Sequence, residues 1–312
     1  MNPHQAASYL DALHGSPLSV ISSCLRSMLT AAPGHDLLAA DYANIEGRAL
    51  AWLAGEQWKL DAFRAYDEGT GPDLYMVAAA RIDPDKPERQ HGKVAELACG
   101  YGGGVGAFQQ MAKTYLVKVD DALAEIIKNR WREAHPHIVN YWYDLDRAAM
   151  EAVLNPGRVV GVRGNGIASR TVLFKVKGSF LWCQVPTGGV ICYPYPKVKP
   201  RMTPWGEMKD QVHYMTVDGT TNKWVETHTY GGKTAQNITE RVCRDQLVYG
   251  MRNCEAAGYP IVAHVHDELV AEMPKGKGDL KEFENLCARV HPKMATLPVA
   301  VSGWRGERYR KG

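Results

Sequence analysis

The sequence predicts a mixed α/β (α+β) fold, and three observations carry that expectation. Two apolar runs of strand length, His35 to Asp41 and Ile261 to Met273, each hold an acidic residue at an end or a break. Between them lie stretches with apolar residues at helical spacing. Mid-chain, about seventy residues change character to Val-, Thr- and Tyr-rich runs separated by turn clusters, the pattern of hairpins inserted into an α/β chain.

Residues 5–31 mix apolar and polar positions in a mostly helical pattern that stops at Ala32-Pro33-Gly34. The strand His35 to Asp41 follows. Ile45 to Leu53 and Trp58 to Tyr66 predict helices broken by Gly55. Asp85 and Pro87 form a start signal for a helix carrying Arg89 to Tyr101, since proline is tolerated in a first turn. After Gly102-Gly103-Gly104, the spacing of Leu123, Ile126, Ile127 and Trp131 predicts a helix entered at Asp120 or Asp121. Another runs from about Ile138 to Leu154 and ends at Asn155-Pro156-Gly157. Hairpin signals come next: Phe180 to Val185, the turn Pro186-Thr187-Gly188-Gly189, Val190 to Tyr193, and later Asp218-Gly219. Ala235 to Ala257 is helical again and leads into the Ile261 to Met273 strand pair, interrupted by His266-Asp267-Glu268.

A chain of 312 residues can fold as one large domain or two smaller ones. With 45% hydrophobic and 23% charged residues and no apolar stretch near the length of a membrane span, the sequence points to a globular protein outside the membrane. MNPHQAASYL lacks a basic segment followed by an apolar core, so a cytoplasmic location is expected. The net charge of +3 favours a nucleic-acid binder only slightly. Near the C-terminus Arg305, Arg308, Arg310 and Lys311 surround Trp304 and Tyr309, a composition that could track phosphates and stack a base, or simply be a solvated terminus. Seven cysteines without a CxxC pair suggest reduced thiols. His264 and His266 would share one face of a strand, as metal ligands sometimes do, but no third ligand stands at zinc spacing.

Asp41 and Asp267 are the candidate catalytic residues. Two carboxylates on neighbouring strands can bridge a pair of hard divalent cations, the arrangement that phosphoryl transfer from a nucleoside triphosphate requires. Alone, either aspartate would read as a turn residue or a helix cap. The other half of the chemistry is a stripe: Arg89, Lys93, Leu97 and Tyr101 stand at four-residue intervals. Arginine forks onto phosphate oxygens and lysine supplies a mobile charge, while the leucine and tyrosine offer a platform for sugar and base. Alone, a basic pair on a helix is usually a solvated face. Together with two aspartate segments it points to nucleotidyl transfer.

Asp41 to Arg48 (DYANIEGR), Arg89 to Gly102 (RQHGKVAELACGYG) and His266-Asp267-Glu268 resemble motifs A, B and C of the family A DNA polymerases, especially their bacteriophage branch. The resemblance runs from about residue 16 to the C-terminus and includes Lys233 to Asp245 (KTAQNITERVCRD), whose counterpart is a helix touching the primer-template. It implies a right-hand polymerase palm with an antiparallel sheet and inserted helical fingers. Residues 1–48 would be an N-terminal helix and first palm strand, 49–157 the fingers, 158–231 the hairpin-rich insert and 232–312 the rest of the palm with a basic tail. The implied activity is DNA-templated DNA polymerase, extending a primer 3′-hydroxyl with dNTPs.

The same resemblance implies roles position by position. Asp41 and Asp267, with the Tyr42 carbonyl, would hold two Mg²⁺ ions, with Mn²⁺ able to substitute. Glu46 would exclude a ribose 2′-hydroxyl, Arg89 and Lys93 would bind the triphosphate, Leu97 would face the nucleotide, and Tyr101 would guard the templating-base pocket. His266 and Glu268 would lie at the primer terminus, and Gln236 or Asn237 would reach the minor groove. Leu97 replaces the family's aromatic residue, and Tyr75 stands where many relatives have histidine. The family's thumb, its Thr-Gly-Arg segment and its 3′-5′ exonuclease-like domain find no match, so a separate protein is expected to supply thumb and exonuclease, joining at Leu18 to Leu29. Alternatives are a nucleic-acid-binding assembly subunit without useful catalysis and, disfavoured by Glu46, a single-subunit RNA polymerase.

Overall fold

A computed structural model describes residues 2–203 and 206–310. The chain divides into two compact units, one formed by Met1–Ala43, Leu247–Arg289 and Ala300–Gly312, the other by Asn44–Gln246 and Val290–Val299.

The first unit is built on a four-stranded antiparallel sheet in the order β11-β1-β10-β9. Its strands are β1 (His35–Tyr42), β9 (Ile261–Val265), β10 (Glu268–Pro274) and β11 (Val301–Gly306). Central β1 is apolar and buried from Leu37 to Ala40 because both of its faces are covered there. Leu37 and Ala39 join Val270, Trp304 and Tyr309 in one buried cluster. On the opposite face Tyr42 donates its hydroxyl to the Cys287 carbonyl at 2.7 Å, beside α11 (Leu280–Ala288). A Cβ at Gly250 would lie 2.1 Å from that hydroxyl, so the glycine makes the space in which Tyr42 is anchored. Gly250 belongs to α10 (Gly231–Ala256), whose last turns from Leu247 fall in this unit.

Two expectations change here. The helical pattern of residues 5–31 forms two helices, α1 (Pro3–His14) and α2 (Pro17–Cys24), because Gly15 takes a φ of 83° and Pro17 restarts the chain at a new first turn. The C-terminal aromatics do not stack a base. Trp304 on β11 is 7% exposed and Tyr309 4%, both in the core cluster, while Arg305 is bonded to Asp36 and to the Gly278 carbonyl. Lys311 lies outside the described residues.

The second unit begins with α3 (Ile45–Ala54) and α4 (Gln57–Asp67) and continues through α5 (Leu74–Ile82), α6 (Arg89–Cys99), α7 (Val105–Thr114), α8 (Asp121–Ala134) and α9 (Pro136–Leu154). Asp73 and Asp120 cap α5 and α8, accepting from the amides of Tyr75 and Leu123. Buried Glu56 accepts from the amides of His137 and Ile138 at the start of α9, a carboxylate at the positive end of the helix. Helix α6 ends at Cys99, before Tyr101, because glycines at 100 and 102–104 follow and Gly102 is left-handed at φ 79°.

The hairpin-rich stretch forms two antiparallel sheets. The first, in sequence order, contains β2 (Val159–Arg163), β3 (Thr171–Lys177), β4 (Phe180–Gln184) and β5 (Val190–Pro194); the second contains β6 (Lys197–Met202), β7 (Met208–Val217) and β8 (Trp224–Thr229). In the first sheet, Val162, Val172, Phe174, Leu181, Cys183 and Tyr193 alternate onto one buried face, against which α9 packs. Burial pushes the Cys183 thiol far above its ordinary range, which leaves it unreactive.

Candidate active site

In the first unit the geometry starts from one backbone bond. Tyr42 N–H donates to the Asp267 carbonyl at 3.1 Å, and the strand register sets Asp41 opposite Glu268. Asp41 and Asp267 therefore leave adjacent strands at the same end of the sheet, where neighbouring backbones run about 5 Å apart. Asp41 is exposed and Asp267 partly so. His266 and Asp267 form the two-residue turn between β9 and β10, and His266 has a φ of 53°, rare for a side-chain-bearing residue. Since His266 is outside the strand, alternation no longer pairs its face with that of His264. Among the described residues no three His, Cys, Asp or Glu side chains gather as a metal site.

Glu268 is buried and accepts a short hydrogen bond from the Tyr309 hydroxyl. Burial, then the hydrogen bond to Glu268 and that group's charge, push the Tyr309 phenol up to about 12, so it stays a donor. Tyr309 thus ties the C-terminal segment to the residue after Asp267, a link that no local sequence pattern announces.

In the second unit α6 divides by face. Gly92, Ala95 and Cys99 point inward, with Glu96 beside them; Arg89, Lys93 and Leu97 point outward, Leu97 at 39% exposure. A Cβ on Gly92 would lie 2.1 Å from the Tyr75 carbonyl, so α5 and α6 cross in backbone contact. This crossing brings Tyr75 under the basic pair: the Arg89 guanidinium lies 5.2 Å and the Lys93 ammonium 6.0 Å from the Tyr75 ring centre, and the Lys93 ammonium lies 4.2 Å from the ring centre of Tyr115. Arg89 Nε also meets Asp73 at 3.0 Å, with both groups partly exposed.

Glu96 fixes the inner face of the helix. Its carboxylate meets Lys59, accepts from Trp131 Nε1 at 2.9 Å and lies 3.1 Å from His135 Nε2, all three partners being buried. Burial alone would raise the pKa of this carboxyl, but the charges of Lys59 and His135 outweigh it and hold the group well below the usual carboxylate range. The sequence showed no sign of this cluster beyond a lysine at an inward position beside Leu60 and Phe63.

Tyr101 lies just past α6. Its hydroxyl donates to Glu46 Oε2 at 3.2 Å, and burial, then the Glu46 charge, raise the phenol well above its ordinary value. Arg48, two residues beyond Glu46, is buried and forks onto Asp67 at 2.6 and 2.7 Å over the Phe63 ring, which makes it a support for α3. On α10, Gln236 bonds Glu240 and the Asn237 amide donates to the Tyr193 hydroxyl at 3.0 Å.

The fold defined by these elements is that of a polymerase domain. A solved structure, the POL domain of Pol1 from M. smegmatis in complex with DNA primer-template and dNTP, matches 91% of this chain and 41% of its own with a TM-score of 0.52 at 17% identity. In sequence, the chain is 32% identical to the DNA polymerase of Bacillus phage SP02 over 97% of its own length. It is also 26% and 28% identical to the DNA polymerases of Mycobacterium phages D29 and L5 over 50% and 55% of its length. No family model matches. The chain is thus similar in sequence to phage DNA polymerases and in fold to the POL domain of a bacterial Pol1, which bears out the resemblance to polymerases of that kind. It spans 45% of the length of the SP02 protein and about a quarter of the other two, 26% and 27%.

Proposed function

We propose that this chain is the palm-fingers part of a DNA-templated DNA polymerase, adding dNTPs to a primer 3′-hydroxyl. The observation that carries the proposal is the joining of the Asp41 and Asp267 segments at one end of a sheet, in a chain related along 97% of its length to a phage DNA polymerase. In this reading residues 1–48 and 232–312 make the palm, 49–157 the fingers and 158–231 an insert.

The donor set suits magnesium: two carboxylates and the Tyr42 carbonyl are hard oxygen ligands, and Asp41 is open to solvent. When bound, two such ions lower the pKa of the attacking hydroxyl and neutralise the triphosphate. Arg89 forks onto the triphosphate and Lys93 adds a point charge. The Arg89–Asp73 pair is half-exposed and so worth at most about 1 kcal/mol, which lets the guanidinium exchange a carboxylate for a more highly charged ligand. Glu46 closes the space a 2′-hydroxyl would need, and Tyr101 holds it there. Leu97 presents an apolar surface without ring stacking. Gln236 is the candidate for minor-groove contact, His266 and Glu268 flank the primer terminus, and Asn237 supports β5 through Tyr193.

A separate polypeptide supplies the thumb and exonuclease in this proposal. Its support is the N-terminal segment, where Leu18, Ile21, Leu25, Met28 and Leu29 are all more than half exposed. The test of the activity is primer extension in Mg²⁺. Asp41→Ala and Asp267→Ala should each lower incorporation by about a thousandfold or more while leaving the thermal unfolding midpoint near that of the parent. Extension by either variant at the parental rate would refute the assignment.

A further inference from the structure

The sheet β2–β5 has a second face whose described side chains are exposed or only half-buried. Register places Val159, Lys175, Trp182 and Cys192 in one row across the four strands, with Lys177 and Phe180 in the next and Arg163 at the far end. Trp182 is 37% exposed, Val159 53% and Val190 46%, and Arg163, Lys175, Lys177 and Gln184 are exposed. The rings of Phe180 and Trp182 lie 5.4 Å apart, tilted at 45°. The strands contain three cations, Arg163, Lys175 and Lys177, and no aspartate or glutamate, and all three cations stand on the open face with both rings. The adjacent β6–β8 sheet differs in carrying carboxylates, Asp210 and Glu226, and in pairing Lys199 with Glu226 and Lys209 with Asp146.

An open face that combines aromatic rings with unpaired cations fits an occupant of matching chemistry. Aromatic rings on a flat sheet can stack unpaired bases, which duplex DNA does not offer, and unpaired lysine and arginine beside them match a phosphate backbone. A protein partner would more often meet an uncharged centre. We propose that the open face of the β2–β5 sheet is a binding platform for single-stranded DNA, with Trp182 and Phe180 stacking bases and Arg163, Lys175 and Lys177 holding phosphates. The choice of DNA as the strand rests on the polymerase reading, in which an unpaired template or displaced strand is always at hand.

The test measures binding of the full chain to labelled oligo(dT) of about 20 nucleotides, longer than the site sizes of about 4–16 nucleotides seen on single-strand platforms, and to a duplex of equal length. Trp182→Ala and the double variant Lys175→Glu/Lys177→Glu should each weaken single-strand binding by about tenfold or more and leave duplex binding nearly unchanged. Both changes are at exposed positions, and unfolding midpoints confirm that the variants are folded. Single-strand affinity unaffected by either variant overturns the proposal, as does equal loss of single-strand and duplex binding. Primer extension on a template overhang of a few nucleotides separates the two hypotheses. Incorporation without Trp182-dependent strand binding removes the platform and leaves the polymerase; Trp182-dependent binding by a chain that incorporates nothing supports the platform and removes the polymerase.

Discussion

Glu46 is set by its partner. An exposed glutamate would sample many rotamers, but the Tyr101 hydroxyl at 3.2 Å restricts it, and because that phenol is raised by burial and by Glu46 itself it stays neutral and donating through the ordinary pH range. A hydrogen bond to a charged group is worth about 1.5–3 kcal/mol. Glu46→Ala should therefore raise ribonucleotide use relative to deoxynucleotide by about tenfold or more, and Tyr101→Phe should raise it by a smaller factor with the carboxylate still present. A competition assay with mixed dNTPs and rNTPs reads both, and an unchanged ratio in Glu46→Ala would end the gating role. Each residue was legible in its own motif. Their contact was not, because 55 residues separate them and Tyr101 reads as part of a helix that in fact stops at Cys99.

Among the helices, the position of the outward side of α6, which carries Arg89 and Lys93, depends on its buried side. His135 Nδ1 lies 2.7 Å from the Trp131 carbonyl and its Nε2 faces Glu96, so both ring nitrogens meet acceptors, and the ring stacks on Trp131 at 3.9 Å. Removing the carboxylate charge leaves Lys59 buried without its counter-ion. Glu96→Gln should cost about 3–5 kcal/mol, read as a lower urea midpoint. The sign with pH follows from the depressed pKa of the Glu96 carboxyl. The carboxylate contributes stability above its ordinary value of 4.5 and loses it as pH falls below that, so the parent should weaken on acidification there and Glu96→Gln should show a flatter profile. A parent profile indistinguishable from the variant's would contradict this. Helices with long apolar periods, α8 and α9, were readable from spacing alone. Helices α5 and α7 and strand β11 were not: α5, LYMVAAARI, is apolar nearly throughout and shows no period, α7, VGAFQQMAKT, has a glycine in its first turn, and β11, VSGWRG, carries two glycines that dilute its alternation. The burial of Trp304 and Tyr309 was illegible for a similar reason, since the arginines around them suggested a surface and only the sheet order puts β11 beside β1.

At the scale of the whole molecule, the two strand-end aspartates made the α/β class and the pairing of distant segments legible, whereas the chain's two compact units depend on contacts among segments as far apart as 1–43 and 300–312. Binding of primer-template rests largely on phosphate contacts that weaken as salt rises. If a partner completes the grip, this chain alone should add few nucleotides per encounter and lose extension steeply between about 50 and 200 mM salt. Long products at the upper salt, unchanged by any co-expressed polypeptide, would remove the partner from the proposal. The N-terminal helices give the same idea a second readout. No described side chain between Asn2 and Thr30 is buried, although Tyr9, Leu13, Leu18 and Ile21 are more than half exposed. Short helices without a packed face open easily in water, so the amides of α1 and α2 should exchange with deuterium nearly as fast as those of a free peptide, while β1 exchanges only on deep unfolding. Once their apolar surface is covered, the same amides should slow by orders of magnitude, which makes this segment a built-in clock for assembly.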